Sequence, residues 1–423
     1  MRLILSLVLI AAALPAATAI HCGKLLEVRT GELIPNATIL VDGRTIRQAG
    51  ANVVAPAGAA RIDLSQSTCL PGLIDVHVHL TDEPRYSGYE GLGVSVPRQT
   101  VTGVKNARAT LLAGFTVARN VGASGFSDVA LRDGINDGDI EGPRLYVSGP
   151  PLGITGGHCD DNLLAPEFHF REEGVADGPW AARAKVRENI KYGADLIKVC
   201  ASGGVMSKGD QPGTPQYSLE ELQAIAAEAH KLGRKTAAHA HGAQSIKDAI
   251  RAGIDSVEHS SLIDEEGIAL ARQHGTFLVF DIYNDDYILA EGAKAGMLSE
   301  SIEKEKQVGK LQRENFRKAY LAGAKIAFGT DAGVYPHGDN WKQFPIMVEW
   351  GMKPIEAIRS ATTEAADLLG IGDKAGAIEP GRWADVIAVA GNPLEDISVL
   401  GRVHFVMKEG QVYRDDETSH HRH

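Results

Sequence analysis

The sequence predicts an α/β chain, a TIM-like (β/α)8 barrel with a small β-sandwich domain built from both termini. Three observations lead there. Apolar runs of strand length alternate with mostly amphipathic helical stretches eight times through the middle of the chain. Strand-like segments with polar turns occupy both ends, and neither end holds enough strands for a stable sheet of its own. No GxGxxG loop follows the first barrel strand, as an open dinucleotide-binding sheet would require.

The eight runs are Leu73–His79, Thr116–Val121, Leu145–Ser148, Leu196–Ala201, Thr236–His241, Ser256–His259, Thr276–Phe280 and Ile326–Gly329. The clearest helix is Leu219–Leu232, where Leu219, Leu222, Ile225, Ala226 and Ala229 share a face. Ser218 with Glu221 reads as a capping box at its start and Gly233 as its stop. At the ends of the chain, Ala37–Val41 precedes an Asp42-Gly43 hairpin signal, and Ala384–Val389 and Val403–Met407 look alike. The expected division is a leader at 1–19, a composite β domain from 20–68 and 374–418, a barrel at 69–373 and a tail at 419–423.

Composition narrows the function. With 423 residues, 44% hydrophobic and 23% charged, the chain buries a large core. A net charge of −11 without a Lys/Arg block repels polyanions, which argues against nucleic acid as a partner. Arg2, the apolar run Leu3–Ala17 and the small residues Ala17-Thr18-Ala19 read as a secretory leader cut after Ala19. The run is short of the roughly 20 apolar residues of a spanning helix, and no second run follows. The expected location is therefore periplasmic or secreted, with no membrane attachment after cleavage. Cys22, Cys69, Cys159 and Cys200 lie far apart without CxxC spacing, and three full pairings are open. Free, partly buried thiols are the expectation.

Side chains that can bind metal fall at successive strand ends, where barrels of this kind build their sites. His77 and His79 stand two residues apart on the first strand, so both imidazoles face one side. Lys198 lies on strand four, His239 and His241 on strand five, His259 on strand six, and Asp331 just beyond strand eight. An isolated HxH on a strand is more often a buried pair than a ligand pair. The whole set at one barrel rim is costly to bury unless a cation repays it. Imidazole and carboxylate donors suit zinc, cobalt or manganese. Lys198 offers no lone pair while charged, but carboxylation by carbon dioxide would turn it into a bridging anion.

These segments also carry a resemblance. Cys69–His79 resembles the opening signature of the amidohydrolase superfamily, Gly329–Gly333 its strand-eight aspartate motif, and Gly376–Asp385 its return to the small β domain. Ile154–His158, Ile197–Val199, Ala238–Gly242, Val257–His259 and Tyr335–Asn340 resemble the branch of Xaa-Pro dipeptidases, related carboxypeptidases and ochratoxin-degrading amidohydrolases. The resemblance implies two divalent cations, with zinc the first choice. His77, His79 and Asp331 would hold one, His239 and His259 the other, and carboxylated Lys198 would bridge them. Spacing alone does not choose between His239 and His241; if His239 ligates, His241 supports the ligands or faces substrate.

The cations would activate water and polarise an amide carbonyl, and Asp331 would carry the proton to the leaving nitrogen. His158, Tyr217 and His337 are the substrate candidates alongside His241, with Tyr217 also a catalytic candidate. Arg119 suits either a substrate carboxylate or a pair with Asp133. The expected reaction releases a C-terminal amino acid from a dipeptide or N-acyl amino acid, ochratoxin A included, with a symmetric homo-oligomer as the family's habit. The rivals are an imidazolonepropionase-like cyclic-amide hydrolase and a metal-binding scaffold without catalysis. The Glu300–Lys318 run reads as an exposed helix with i,i+4 pairs, open to an oligomer contact, and the terminal His420-His421-Arg422-His423 as a solvated tail.

Overall fold

The computed structural model describes residues 17–416. Four N-terminal strands come first: β1 (Thr18–Glu27), β2 (Glu32–Asp42), β3 (Thr45–Gly50) and β4 (Ala60–Pro71). Seven barrel strands follow: β5 (Leu73–Val78), β6 (Phe115–Asn120), β7 (Arg144–Val147), β8 (Leu196–Cys200), β9 (Lys235–Ala240), β10 (Ser256–His259) and β11 (Phe277–Val279). Three more close the chain: β12 (Val386–Ala390), β13 (Val403–Lys408) and β14 (Gln411–Asp415). The expected leader before residue 17 and the terminal histidines lie outside the described residues. The expected cut after Ala19 falls within β1, where Ala19 pairs with Leu40.

Strands from both ends form one sheet in the order β14-β13-β12-β4-β1-β2-β3, joined where β12 runs antiparallel to β4. The sheet curls into a sandwich until its two end turns touch. At Gly410, with φ +78°, an added Cβ would lie 2.1 Å from the Gly43 carbonyl oxygen, so only glycine fits. Alternation along the strands divides the burial. Val386, Ala388, Phe405 and Met407 join Ile20, Ile39 and Cys69 inside the sandwich. Their neighbours Ile387, Val389 and Val406 join Leu111 and Phe115 in the main core, which fastens the sandwich to the barrel.

The barrel strands are parallel, paired as β5-β6-β7 and β8-β9-β10-β11. Single bridges close the two seams. Leu152, just beyond β7, donates to Lys198 O and accepts from Cys200 N, both at 2.8 Å. The eighth run, expected as a strand over Ile326–Gly329, is an irregular segment. It nevertheless bonds on both sides: Ala327 N to Leu278 O at 3.2 Å, Val76 N to Phe328 O at 2.9 Å and Asp331 N to His77 O at 2.7 Å. The helix Leu219–Lys231 carries the predicted capping box of Ser218 and Glu221. Among the described residues no helix is long and apolar enough to cross a membrane.

The expectation of free thiols is corrected. All four cysteines are paired, Cys22 with Cys69 and Cys159 with Cys200. Cys22 and Cys69 face the same sandwich core from the adjacent parallel strands β1 and β4, a juxtaposition that only the folded sheet creates.

Candidate metal centre

Strand β5 and the closing segment build the first wall of the site. Asp75, fully buried, accepts from Thr330 Oγ1 at 2.6 Å, Asn340 Nδ2 at 2.8 Å and His77 N at 3.1 Å. Those bonds staple the closing segment to β5 and set Asp331 beside His77 and His79. Gly329 permits the approach, since a Cβ there would lie 2.8 Å from that of His77. Asp331 Oδ1 then stands 3.2 Å from Nε2 of both histidines. Burial opposes the charge on Asp331, but His77 and His79 outweigh it and hold the carboxyl well below the usual range. Asp331 has φ +56° and His259 φ +68°, a left-handed conformation that costs free energy in non-glycine residues and gathers at functional sites.

The second wall comes from β8, β9 and β10. The His239 ring lies 4.5 Å from that of His259 and 4.7 Å from that of His241. Ligand atoms of His77, His259 and Asp331, and of His239, His241 and His259, lie within 4.8 Å of one another in each group. His259 belongs to both, so the two groups abut. Burial, and then the crowd of neighbouring imidazoles, pushes His239 and His241 well below their ordinary values, which keeps them neutral with lone pairs to share. His239 Nε2 donates to Gly203 O at 3.1 Å, which leaves Nδ1 for a ligand. Lys198 lines the same cavity and is 3% exposed; burial lowers it to about 8.

The site fits divalent cations on its own chemistry. His77 Nε2 is buried without a hydrogen bond although Asp331 Oδ1 lies 3.2 Å away, since the His77 proton on Nδ1 goes to Glu258 and leaves a lone pair on Nε2. An orphan imidazole nitrogen among carboxylate and imidazole donors is what a metal ligand looks like before a metal is considered.

Sequence reasoning missed the residues that hold these candidate ligands. Glu258 takes a hydrogen bond from His77 Nδ1 at 3.0 Å and one from Arg119 at 2.8 Å. Asp281 lies 3.0 Å from His259 Nδ1 and accepts from Gln312 and Asn284, both at 2.6 Å. The Glu300–Lys318 run also needs correction. Its helix, Ser299–Leu321, buries the face Ser301, Lys304, Glu305, Val308, Gln312 and Asn315, and three of these line the cavity. The 3–4 spacing of that polar face was a signal in the sequence; the exposed Glu–Lys pairs drew attention away from it.

Of the substrate candidates, His158 and His241 line the cavity of about 350 Å3. His158 stacks on His239 with ring centroids 4.0 Å apart, and burial lowers it to about 4. Tyr217 and His337 do not join them. Tyr217 is 2% exposed with its hydroxyl against the Gly153 and Ala176 carbonyls, at 2.7 and 2.8 Å, where it ties two loops together behind the site. His337 donates to His79 O at 3.1 Å and supports the His79 backbone from outside the cavity. Arg119 takes neither expected role, because the carboxylate it holds is Glu258, while Asp133 pairs with Arg132.

The Cys159–Cys200 disulfide joins the residue after His158 to the strand that bears Lys198. A Cys159→Ser, Cys200→Ser double variant should lose about 4 kcal/mol from the freed loop, on the order of 5 °C in Tm. It should also raise KM more than it lowers kcat, as His158 loses its tether. Melting curves and steady-state kinetics check both.

Comparisons with known proteins show the family. The sequence model of the amidohydrolase family matches residues 68–413. The chain is 34% identical to the ochratoxinase of Aspergillus niger over 94% of its length and 86% of that protein's. It is similar in structure to a Xaa-Pro dipeptidase with methionine bound in its active site, with a TM-score of 0.89 at 41% identity, covering 94% of this chain and 100% of that one. A prolidase complexed with N-methylphosphonate-L-proline gives 0.87 at 33% identity, covering 95% and 100%. With its barrel, its curled terminal sheet and a family match that spans both, the chain belongs to the amidohydrolase family.

Proposed function

We propose that the protein is an exported, two-metal amidohydrolase that releases a C-terminal amino acid from dipeptides or N-acyl amino acids. The observation that carries this reading is the orphan His77 Nε2, set among histidines and Asp331 where two donor groups share His259. His77, His79 and Asp331 would hold one cation and His239 and His259 the other, with zinc the first choice for this donor set. Bound there, the cations would supply Lewis acidity and water of lowered pKa. The relatives named for prolidase, Xaa-Pro dipeptidase and ochratoxinase activities support a peptide-like amide as substrate, ochratoxin A among the candidates.

The chain's own groups do the rest. Lys198, buried on the second wall, would add its neutral amine to carbon dioxide. That forms a carbamate with release of one proton, and supplies the anion an ammonium would deny the site. Asp331 faces the cavity and carries the proton from the attacking water to the leaving nitrogen. His158, held by its stack on His239 and by Ser207 at 2.8 Å, would meet the substrate carbonyl. The two disulfides support export independently of the leader, since such bonds persist in oxidising compartments.

Dialysis against a strong chelator should abolish hydrolysis, and added zinc should restore it with two metals counted per chain. A dipeptide and N-acyl amino acid library should give two products per substrate cleaved; ring opening, as in the cyclic-amide reading, would give one. Full activity in metal-free protein ends the proposal.

A further inference from the structure

Of the five acids that line the cavity, Glu83, Asp281 and Asp331 are matched. Glu83 pairs with Arg85 and Lys105, Asp281 meets His259, Asn284 and Gln312, and Asp331 meets His77, His79 and Asn284. Asp82, half-buried, has no side-chain hydrogen bond or ion pair among the described residues, but the charge of His79 acts on it. Glu305 is different. It is 4% exposed, lines the cavity from the helix Ser299–Leu321, and has no hydrogen bond or ion pair among the described residues. Arg313, the cation named among the main charges acting on it, is occupied by the Ile282 carbonyl and by Asp286 at 2.8 Å. The other charges around it are acidic: Asp285, which meets it beside Gly309, then Asp281 and Asp331.

A buried carboxylate without a partner costs several kcal/mol in principle, and its acidic neighbours add to that cost. Burial and those carboxylates raise Glu305 to about 8. A cation that enters the cavity relieves both terms, and a charge-assisted hydrogen bond away from water is among the stronger polar contacts. The substrate class proposed above fixes which end of the molecule this is. The leaving amino acid carries its own α-carboxylate, which would add to the acidic charges already around Glu305. The acyl side carries either an ammonium or, when blocked, a neutral amide.

We infer that Glu305 receives a cationic nitrogen on the acyl side of the scissile amide, so the site prefers peptides with a free or basic N-terminal residue to neutral N-acyl amino acids. The inference rests on the amide-hydrolase reading and deepens it. Glu305 lies seven residues before Gln312 on the same buried face, and Gln312 touches His259 O and Asp281, so the acid sits on the wall that rises from the metal ligands. In this position it selects among substrates without touching the reacting atoms.

The test compares kcat/KM for Ala-Phe, N-acetyl-Ala-Phe, Lys-Phe and N-acetyl-Lys-Phe on the metal-loaded full chain. The cationic member of a pair should be favoured by about 10- to 100-fold. Ala-Phe against N-acetyl-Ala-Phe reads an α-ammonium, and N-acetyl-Lys-Phe against N-acetyl-Ala-Phe reads a basic side chain. Glu305→Gln should collapse the preference, and Glu305→Asp, which keeps the charge, should retain part of it, with melting curves and metal content confirming that each variant is folded. Equal rates across both pairs, a preference for the neutral substrates, or a preference that survives Glu305→Gln would each overturn the inference. Should none of the four be cleaved, the amide-hydrolase reading fails separately. Calorimetry with the phosphinic analogues of Ala-Phe and N-acetyl-Ala-Phe then decides the cation preference by binding alone.

Discussion

An Asp331→Asn variant is expected to lose about 10²- to 10⁴-fold in kcat, the range a positioned proton carrier contributes, while its fold stays intact. Asparagine is the same size and shape, and it tolerates the left-handed backbone that Asp331 adopts at φ +56° better than other residues. It can still accept from Asn284 Nδ2, which lies 3.1 Å from Oδ2 in the native chain. The charge is what disappears. The pull that His77 and His79 exert on Asp331 is lost, and with it a group able to take a proton from water and return it to nitrogen. Initial rates at saturating zinc, metals counted per chain and a melting curve separate the effects. Normal metal content with a collapsed rate supports the proton role; normal content with an unchanged rate ends it.

What the sequence made legible followed from local period and type. The two-residue step in Leu73–His79 placed both imidazoles on one face, and the alternation of strand and helix placed Lys198, His239, His259 and Asp331 around the same rim. What it hid depended on contacts between distant segments. Glu258 is one residue before the candidate ligand His259, but its role is set by Arg119, 139 residues away, and by His77, 181 residues away. The Cys159–Cys200 pair exists because Leu152 bridges the seam between β7 and β8, which brings the His158 loop over that strand. Tyr217 and His337 misled for the opposite reason. Their place next to functional loops was legible, but the direction of each side chain was decided by backbone carbonyls waiting behind the cavity, at Gly153 and Ala176 for one and His79 for the other.

Glu258 should matter to both stability and metal binding, and Glu258→Gln tests the two together. The carboxylate is fully buried between Arg119 and His77, and it also accepts from Ser256. Removing one partner of a buried ion pair strands the other, at a cost of about 3–5 kcal/mol. Glutamine cannot accept at both oxygen positions, so either Arg119 or His77 Nδ1–H must face an amide donor. If His77 loses that acceptor, its proton is no longer fixed on Nδ1 and its Nε2 lone pair is no longer guaranteed to the cavity; such losses typically cost about 10- to 100-fold in metal affinity. The pH dependence has a definite sign. Burial would raise the Glu258 carboxyl, but Arg119 and His77 overcome it and hold it far below its ordinary value of 4.5. Its contribution to stability is therefore complete above about pH 4.5 and is lost as pH falls toward the depressed folded value. The difference in Tm between the native chain and Glu258→Gln should be widest near neutrality and narrow steadily in acid. A difference that stayed constant from pH 7 to pH 3, or zinc affinity equal to that of the native chain, would mean that Glu258 merely fills space beside His77.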